Sequence, residues 1–329
     1  MQDTYIERLV AAMKTGGYSD SYIALCCGYA ASLIDKDLPV IFDSGHLGRI
    51  LQLHECDHAA YICFSIEKKG KKRIVNAPVR PLKLRQEWIL HHILSKQAVS
   101  DNAHGFVKGR SIVSHAKKHL DQPYVLCMDI RDFFRSIKYD SVRQVFYGLG
   151  YTSEVAAELA RLCCFENCLP QGAPTSPYIA NLFCRGLDKE LSDIASRKEA
   201  VYTRYADDIV FSSDRALESC IPEIELVLAK YNFGPNSEKT RIFKPGDRKR
   251  ITGLIVTDIL RVPKQFKRTL KQEIYYCQKF GVSAHLENKG ASKYIHYREH
   301  LYGKAYYIHM VEPEAGRRFL AQLDMIQWP

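Results

Sequence analysis

The spacing of apolar residues along the chain changes period several times. In YIERLVAAM they recur at three- and four-residue intervals, and residues 1–55 read as mostly helical, with a turn in LIDKDLPVIFD. The stretch AAYICFSIEKKGKKRIVNAP alternates at period two instead. It predicts a hairpin turning at Gly70, with Lys68, Lys69, Lys71, Lys72 and Arg73 crowded at the turn. A helical period returns in RPLKLRQEWILHHIL, which sets Leu84, Trp88, Ile89 and Ile93 on one side and basic residues at its start. Hairpin turn and helix start together make a phosphate-facing edge.

The middle of the chain is more specific. In YVLCMDIRDFFRSI an apolar strand runs into Asp129, and a helical pattern follows from Asp132 through YDSVRQVFYGLG. In CLPQGAPTSPYIANLFCRGLDKELSDI, Ser176 is the expected N-cap and Pro177 the first helical residue, while Ile179, Leu182, Phe183, Leu187, Leu191 and Ile194 form an apolar stripe. The loop ahead of that helix contains Gly172, which permits the close backbone approach that a flat base and sugar need. YTRYADDIVFSS reads as two short strands, Val201–Tyr205 and Ile209–Phe211, with Asp207 and Asp208 projecting together from the tip.

An isolated Asp-Asp pair is an ordinary turn, because Asp bonds its own backbone well. A third acid, Asp129, at the end of a buried strand changes the picture. Clustered carboxylates repel one another unless divalent cations neutralise them, and two Mg²⁺ ions about 4 Å apart, with Mn²⁺ as a substitute, are what phosphoryl transfer to a 3′-hydroxyl uses.

Composition agrees with a nucleic-acid partner. The 329 residues are 46% hydrophobic, enough to bury a core in two or three subdomains. Lys and Arg number 47 against 37 Asp and Glu, a net +10 that favours a polyanion. The amino terminus MQDTYIERLVAAMK lacks a basic-then-apolar leader, and no apolar run nears the roughly 20 residues of a membrane span. The expectation is a cytoplasmic protein without a membrane partner.

Two other chemistries are weaker. Eleven cysteines without a single C-x-x-C pair read as reduced residues, mostly in the core. HECDH, from His54 to His58, fits H-E-x-x-H, but Asp57 abuts the second His and no third ligand follows at a recognisable spacing, so a zinc peptidase is set aside.

Toward the carboxyl end, Lys264, Lys267, Arg268 and Lys271 follow i, i+3, i+4, i+7, which on a helix is one basic stripe suited to phosphates. Seven tyrosines between Tyr275 and Tyr307 are interleaved with Lys279, Lys293, Arg298 and Lys304, a pattern that stacks unpaired bases as well as pairing phosphates.

MDIRDFF, LPQGAPTSPYIANL, YTRYADD, FGPNSEKTRIF and RKRITGLIV stand in an order and spacing that resemble a bacterial retron reverse transcriptase over nearly the whole chain, and DLPVIFDSGHLGRIL resembles the amino-terminal segment of that family. The resemblance implies an α+β right-hand polymerase with fingers, an RRM-like antiparallel palm and a helical thumb. The implied division is an N-terminal helical segment at 1–55, fingers at 56–120 with part of 150–200 interleaved, palm at 121–255 and an RNA-binding thumb at 256–329. Asp129, Asp207 and Asp208 match the metal ligands, with the carbonyl of Ile130. Phe134 matches the gate against ribose 2′-hydroxyls, Gln171 and Gly172 the loop that contacts the dNTP, Arg73 the fingers residue on the triphosphate, and Lys239 the residue that protonates pyrophosphate. Tyr205 matches a position near the primer terminus, and Thr252 and Gly253 a nucleic-acid contact.

The family also implies partners: a structured noncoding RNA as template, priming from a guanosine 2′-hydroxyl, a branched RNA–DNA product, and an effector protein in phage defence. Two departures stand out. An Asn-Ala-x-x-His element is matched by HAKKH, with His115 in place of Asn and His119 retained, and Val-Thr-Gly is matched by Ile251, Thr252 and Gly253. QGAPTSP differs from the loop of diversity-generating enzymes, and no maturase or endonuclease extension is expected. The alternatives are an abortive-infection type or group II intron-like reverse transcriptase, or an RNA-binding scaffold with a vestigial site.

Overall fold

The computed structural model describes residues 2–52, 61–68, 71–290 and 295–329. In chain order it begins with α1 (Gln2–Thr15), α2 (Asp20–Ile34), α3 (Ser44–Leu51), β1 (Tyr61–Lys68), β2 (Lys71–Pro78), α4 (Arg80–His92) and α5 (Ile112–Lys117). Then come β3 (Tyr124–Asp129), α6 (Phe133–Ser136), α7 (Tyr139–Leu149), α8 (Ser153–Cys163), α9 (Ser176–Phe183), α10 (Arg185–Arg197), β4 (Val201–Tyr205), β5 (Asp208–Ser213) and α11 (Ile221–Lys230). The chain continues through β6 (Arg241–Phe243), β7 (Arg250–Ile251), β8 (Leu254–Val256), β9 (Leu260–Arg261), α12 (Lys264–Phe280), α13 (Val282–Asn288), α14 (Tyr297–Val311) and α15 (Pro313–Asp324). Two compact units are built from separated segments, the first from 1–106, 130–191 and 224–235, the second from 107–129, 192–223 and 236–329.

In the first unit short polar side chains start the helices. Ser19 Oγ accepts the amide of Tyr22, Asp43 Oδ1 that of His46, and Thr152 Oγ1 that of Val155, each satisfying a donor the helix itself leaves open. The hairpin forms as the alternation predicts, in register from Tyr61 opposite Pro78 to Lys68 opposite Lys71. HECDH and Gly70 lie outside the described residues.

Helix α4 buries Ile89, with Ile93 just past its end, as expected and half-buries Trp88, but Leu82 and Gln86 are enclosed beside them and Leu84 is exposed. Gln86 is tolerated there because its Nε2 donates to the Leu162 carbonyl and to Tyr61 Oη. The helix expected from Asp132 onward is broken in two. Leu169 donates to the Ile137 carbonyl, Lys138 bridges Cys168, and Tyr139 donates to Asn167, so strand-like pairing pulls residues 137–138 out of the helical period. Helix α9 starts one residue away from expectation, with Thr175 at the N-cap, while Ser176 Oγ donates to the Pro170 carbonyl at 2.7 Å. The apolar stripe is shared between α9 and α10, with Ile179, Leu182, Leu187, Leu191 and Ile194 buried.

The second unit holds an antiparallel sheet in the order β4-β5-β3-β6. Its central strands are enclosed on both faces: Val125, Leu126, Met128, Ile209, Val210 and Phe211 are all buried, which is why they read as an unbroken apolar run. A smaller sheet, β7-β8-β9, packs Ile251, Leu254, Val256 and Leu260 with Val125, Val210 and Ala116. Helices α12 to α15 share a separate cluster around Leu270, Ile274, Leu301, Ala305, Ile308 and Leu323. There α15 crosses α14 so closely that a Cβ on Gly316 would collide with the backbone of His309.

The ten cysteines among the described residues are free, six of them buried. No described helix is long and apolar enough to cross a membrane.

Candidate active site

Register builds the site. β3 pairs antiparallel with β5, which sets Asp129 directly opposite Asp208 at the end of both strands. Asp208 is therefore the first residue of β5, opposite Tyr205 as well as Asp129, and the hairpin turn is the two residues Ala206 and Asp207. Ala206 has a left-handed φ of 56°, and its carbonyl accepts a 3.1 Å hydrogen bond from the fully buried guanidinium of Arg204.

The electrostatics are those of crowded acids. Burial, then the charges of Asp207 and Asp129, push the Asp208 carboxyl up to about 7 against the pull of Lys239. Lys239 Nζ lies 2.8 Å from both carboxylate oxygens of Asp129. Partial burial works against its ammonium, but the bond to Asp129 and the charges of the three aspartates outweigh that and raise its pKa. Asn236, which sequence reasoning passed over, donates its backbone amide to the Asp129 carbonyl at 2.7 Å and Nδ2 to Oδ1 at 3.1 Å. Tyr205 is half-buried, and burial followed by the Asp208 charge raises its phenol.

Among the described residues no three His, Cys, Asp or Glu side chains are gathered tightly enough to hold a metal ion as they stand, and the ammonium of Lys239 occupies Asp129. The donor chemistry nevertheless fits a hard divalent cation. Asp129, Asp207 and Asp208 offer hard oxygen donors, and the Asp208 carboxyl, raised first by burial and then by the charges of Asp207 and Asp129, is one whose ionised form a bound cation would favour.

The nucleotide candidates Arg73, Phe134, Gln171 and Gly172, with Ile130, belong to the first unit. Asn76, three residues past Arg73 on β2, donates its amide to the Gln171 carbonyl at 2.8 Å. Gly172 has φ 131°, and a Cβ there would stand 2.7 Å from the Asn76 carbonyl oxygen, so only glycine fits. The ring of Phe134 lies 5.3 Å from Phe133 and 6.2 Å from Phe106, while Phe133 stacks on Phe233 at 5.5 Å. Ile130 bridges Pro235.

The remaining candidates are in the second unit. Thr252 and Gly253, with φ of 43° and 89°, form the two-residue turn between β7 and β8. The basic stripe lies on α12, with Lys264, Arg268 and Lys271 exposed. Lys267 on the same stripe is half-buried, and its Nζ is 2.7 and 2.9 Å from the carboxylate oxygens of Glu312, which also accepts the Val262 amide. Of the tyrosines, Tyr275 and Tyr306 are exposed and Tyr297 is core; Tyr294 is outside the described residues.

Residues 66–275 match the family Reverse transcriptase (RNA-dependent DNA polymerase). The chain is 33% identical over 279 residues to the retron Ec86 reverse transcriptase of Escherichia coli, covering 81% of each chain. It is 32% identical over 304 residues to the retron Mx162 reverse transcriptase of Myxococcus xanthus, covering 81% of this chain and 61% of that one. Among solved structures, telomerase from Candida albicans in complex with a telomeric RNA fragment aligns over 92% of this chain and 67% of that chain at 10% identity and a TM-score of 0.47, too distant a likeness to bear on mechanism. Sequence identity sustained over that much of the chain assigns it: the protein belongs to the reverse transcriptases, RNA-directed DNA polymerases, and among them to the retron enzymes.

Proposed function

We propose that the protein copies a structured noncoding RNA into single-stranded DNA, primed from a guanosine 2′-hydroxyl to give a branched RNA–DNA, in the cytoplasm and beside an effector protein of a phage-defence system. The observation that carries the catalytic part is the opposition of Asp129 and Asp208 across β3 and β5, with Asp208 held at about 7 by burial and its acidic neighbours. Asp129, Asp207 and Asp208, with the Ile130 carbonyl, would hold two Mg²⁺ ions, or Mn²⁺ in their place. When bound, these supply Lewis acidity at the primer hydroxyl and at the leaving pyrophosphate.

The chain's own groups do the rest. Lys239, kept protonated beside the aspartates, holds the proton that the departing pyrophosphate needs. Asn236 holds Asp129 by two hydrogen bonds, one from its backbone amide to the Asp129 carbonyl and one from Nδ2 to the carboxylate. On this reading Gln171 and Gly172 receive the base and sugar of the dNTP, Phe134 excludes a 2′-hydroxyl, and Arg73 pairs with the triphosphate. Tyr205, Thr252 and Gly253 contact primer and template, and Lys264, Arg268 and Lys271 grip RNA phosphates. The division into an N-terminal segment, fingers, palm and thumb at 1–55, 56–120, 121–255 and 256–329 is part of the same proposal.

The test is Asp208→Asn assayed for extension of a primer on an RNA template. The amide has the same shape and is a poor ligand for a hard cation, so synthesis should stop while RNA affinity stays. Wild-type rates in that variant would sink the reading.

A further inference from the structure

Two buried histidines in the second unit have no part in the chemistry above. His115 near the end of α5 and His119 one turn later are fully enclosed. Burying imidazoles where leucine would pack at less cost calls for a use of their polar atoms.

A neutral imidazole has one donor and one acceptor nitrogen. His119 spends both on the hairpin that carries Asp207 and Asp208: Nδ1 is 2.7 Å from Ser212 Oγ on β5, and Nε2 is 2.7 Å from Thr203 Oγ1 on β4. One ring thereby bolts the two strands together across their buried face. His115 works nearer the tip. Its ring centroid is 5.9 Å from that of His119, edge-on, and 5.8 Å from that of Tyr205, the last residue of β4. Its Nδ1 lies 3.3 Å from Thr252 Oγ1. Thr252 is a β-branched residue at φ 43°, a conformation that persists only when neighbours enforce it.

We propose that His115 is a positioning residue that couples Tyr205 to the Thr252–Gly253 turn, with His119 as its anchor on the hairpin, so that primer terminus and bound duplex stay in register with Asp208. This rests on the polymerase reading of Tyr205 and Thr252 given above.

Three substitutions separate the contacts. His115→Phe keeps a ring against Tyr205 and drops the hydrogen bond. His115→Asn places a polar atom the same number of bonds from the backbone as Nδ1, keeping the bond and dropping the ring. His115→Leu drops both. Each is assayed on an annealed primer and RNA template for kcat and KM, for thermal melting, and for the fluorescence of 2-aminopurine at the primer 3′ end.

For His115→Leu the KM for primer–template should rise about tenfold, the worth of one neutral hydrogen bond and one aromatic contact, with kcat within about twofold. The primer-end fluorescence should brighten as the terminal base unstacks, and melting should stay near wild type. The Phe and Asn variants should fall between, and adding Thr252→Ala to His115→Leu should cost less than the two separately. Unchanged KM and fluorescence in all three variants would overturn the coupling, as would losses of melting temperature and kcat with KM and fluorescence untouched. Should the Leu variant fail to fold, the Phe and Asn pair decides by the same readouts. Asp208→Asn keeps the two readings apart: it should retain wild-type primer-end fluorescence without synthesis, and if it synthesises normally the catalytic reading falls instead.

Discussion

Replacing Asp208 by asparagine should flatten the dependence of stability on pH in metal-free protein. Its carboxyl is pushed from an ordinary 3.8 to about 7 in the folded state, by burial first and by Asp207 and Asp129 next. The folded chain then binds this proton more tightly than the unfolded chain does. The stabilisation is complete below about pH 4 and is lost as pH rises through 7. From pH 5 to pH 8 roughly two pH units of that range are crossed, about 2–3 kcal/mol at about 1.4 kcal/mol each. Asparagine has no proton to lose. Urea denaturation in the presence of a chelator at both pH values should show wild type losing about 2–3 kcal/mol more than Asp208→Asn. Mg²⁺ at pH 8 should restore the wild type and leave the variant unmoved. Equal pH slopes for the two proteins would refute the account of crowded, partly protonated carboxylates.

Phe134→Ala should raise ribonucleotide incorporation relative to deoxynucleotide, read from rNTP and dNTP kcat/KM on one template; an unchanged ratio moves the gate elsewhere. Gly172→Ala should force the loop off the Asn76 carbonyl and raise the dNTP KM about tenfold with primer–template affinity intact, since both the clash and the φ of 131° oppose a side chain. Lys264, Arg268 and Lys271 changed together to Ala should make the log–log salt slope of RNA binding shallower by about 3, at about 0.9 counterion per duplex-like contact. Lys267→Ala should leave that slope alone and lower the melting temperature instead, because it abandons Glu312.

What the sequence exposes here is what local pattern encodes. The strand ending in Asp129, the hairpin around Asp207 and Asp208, and the helix carrying Lys264 to Lys271 all follow from periods of two and near four. What it hides depends on distant partners. The break at Ile137 needs the pairing with Leu169, and the buried Gln86 needs the Leu162 carbonyl 76 residues away. Lys267 looks free until Glu312, 45 residues on, is folded against it. Asn236 reads as a turn residue, and only its 107-residue reach to Asp129 gives it a place in the site. His119 likewise finds Thr203 and Ser212 84 and 93 residues later.

The two compact units are woven from alternating segments, and the chain passes between them five times before residue 236, after which a single uninterrupted run of 236–329 completes the second. Upstream of that point no cut frees either unit whole, so the strands that carry Asp129 and Asp208 and the loop of Gln171 and Gly172 are inherited as one block. The final run differs. It carries Asn236, Lys239 and β6, which meet Asp129 and β3, as well as α12 to α15 with their own buried cluster. A single crossover at residue 236 therefore exchanges Asn236 and Lys239 together with α12 to α15, so the strands that carry Asp129 and Asp208 must stay matched to whatever final run they receive.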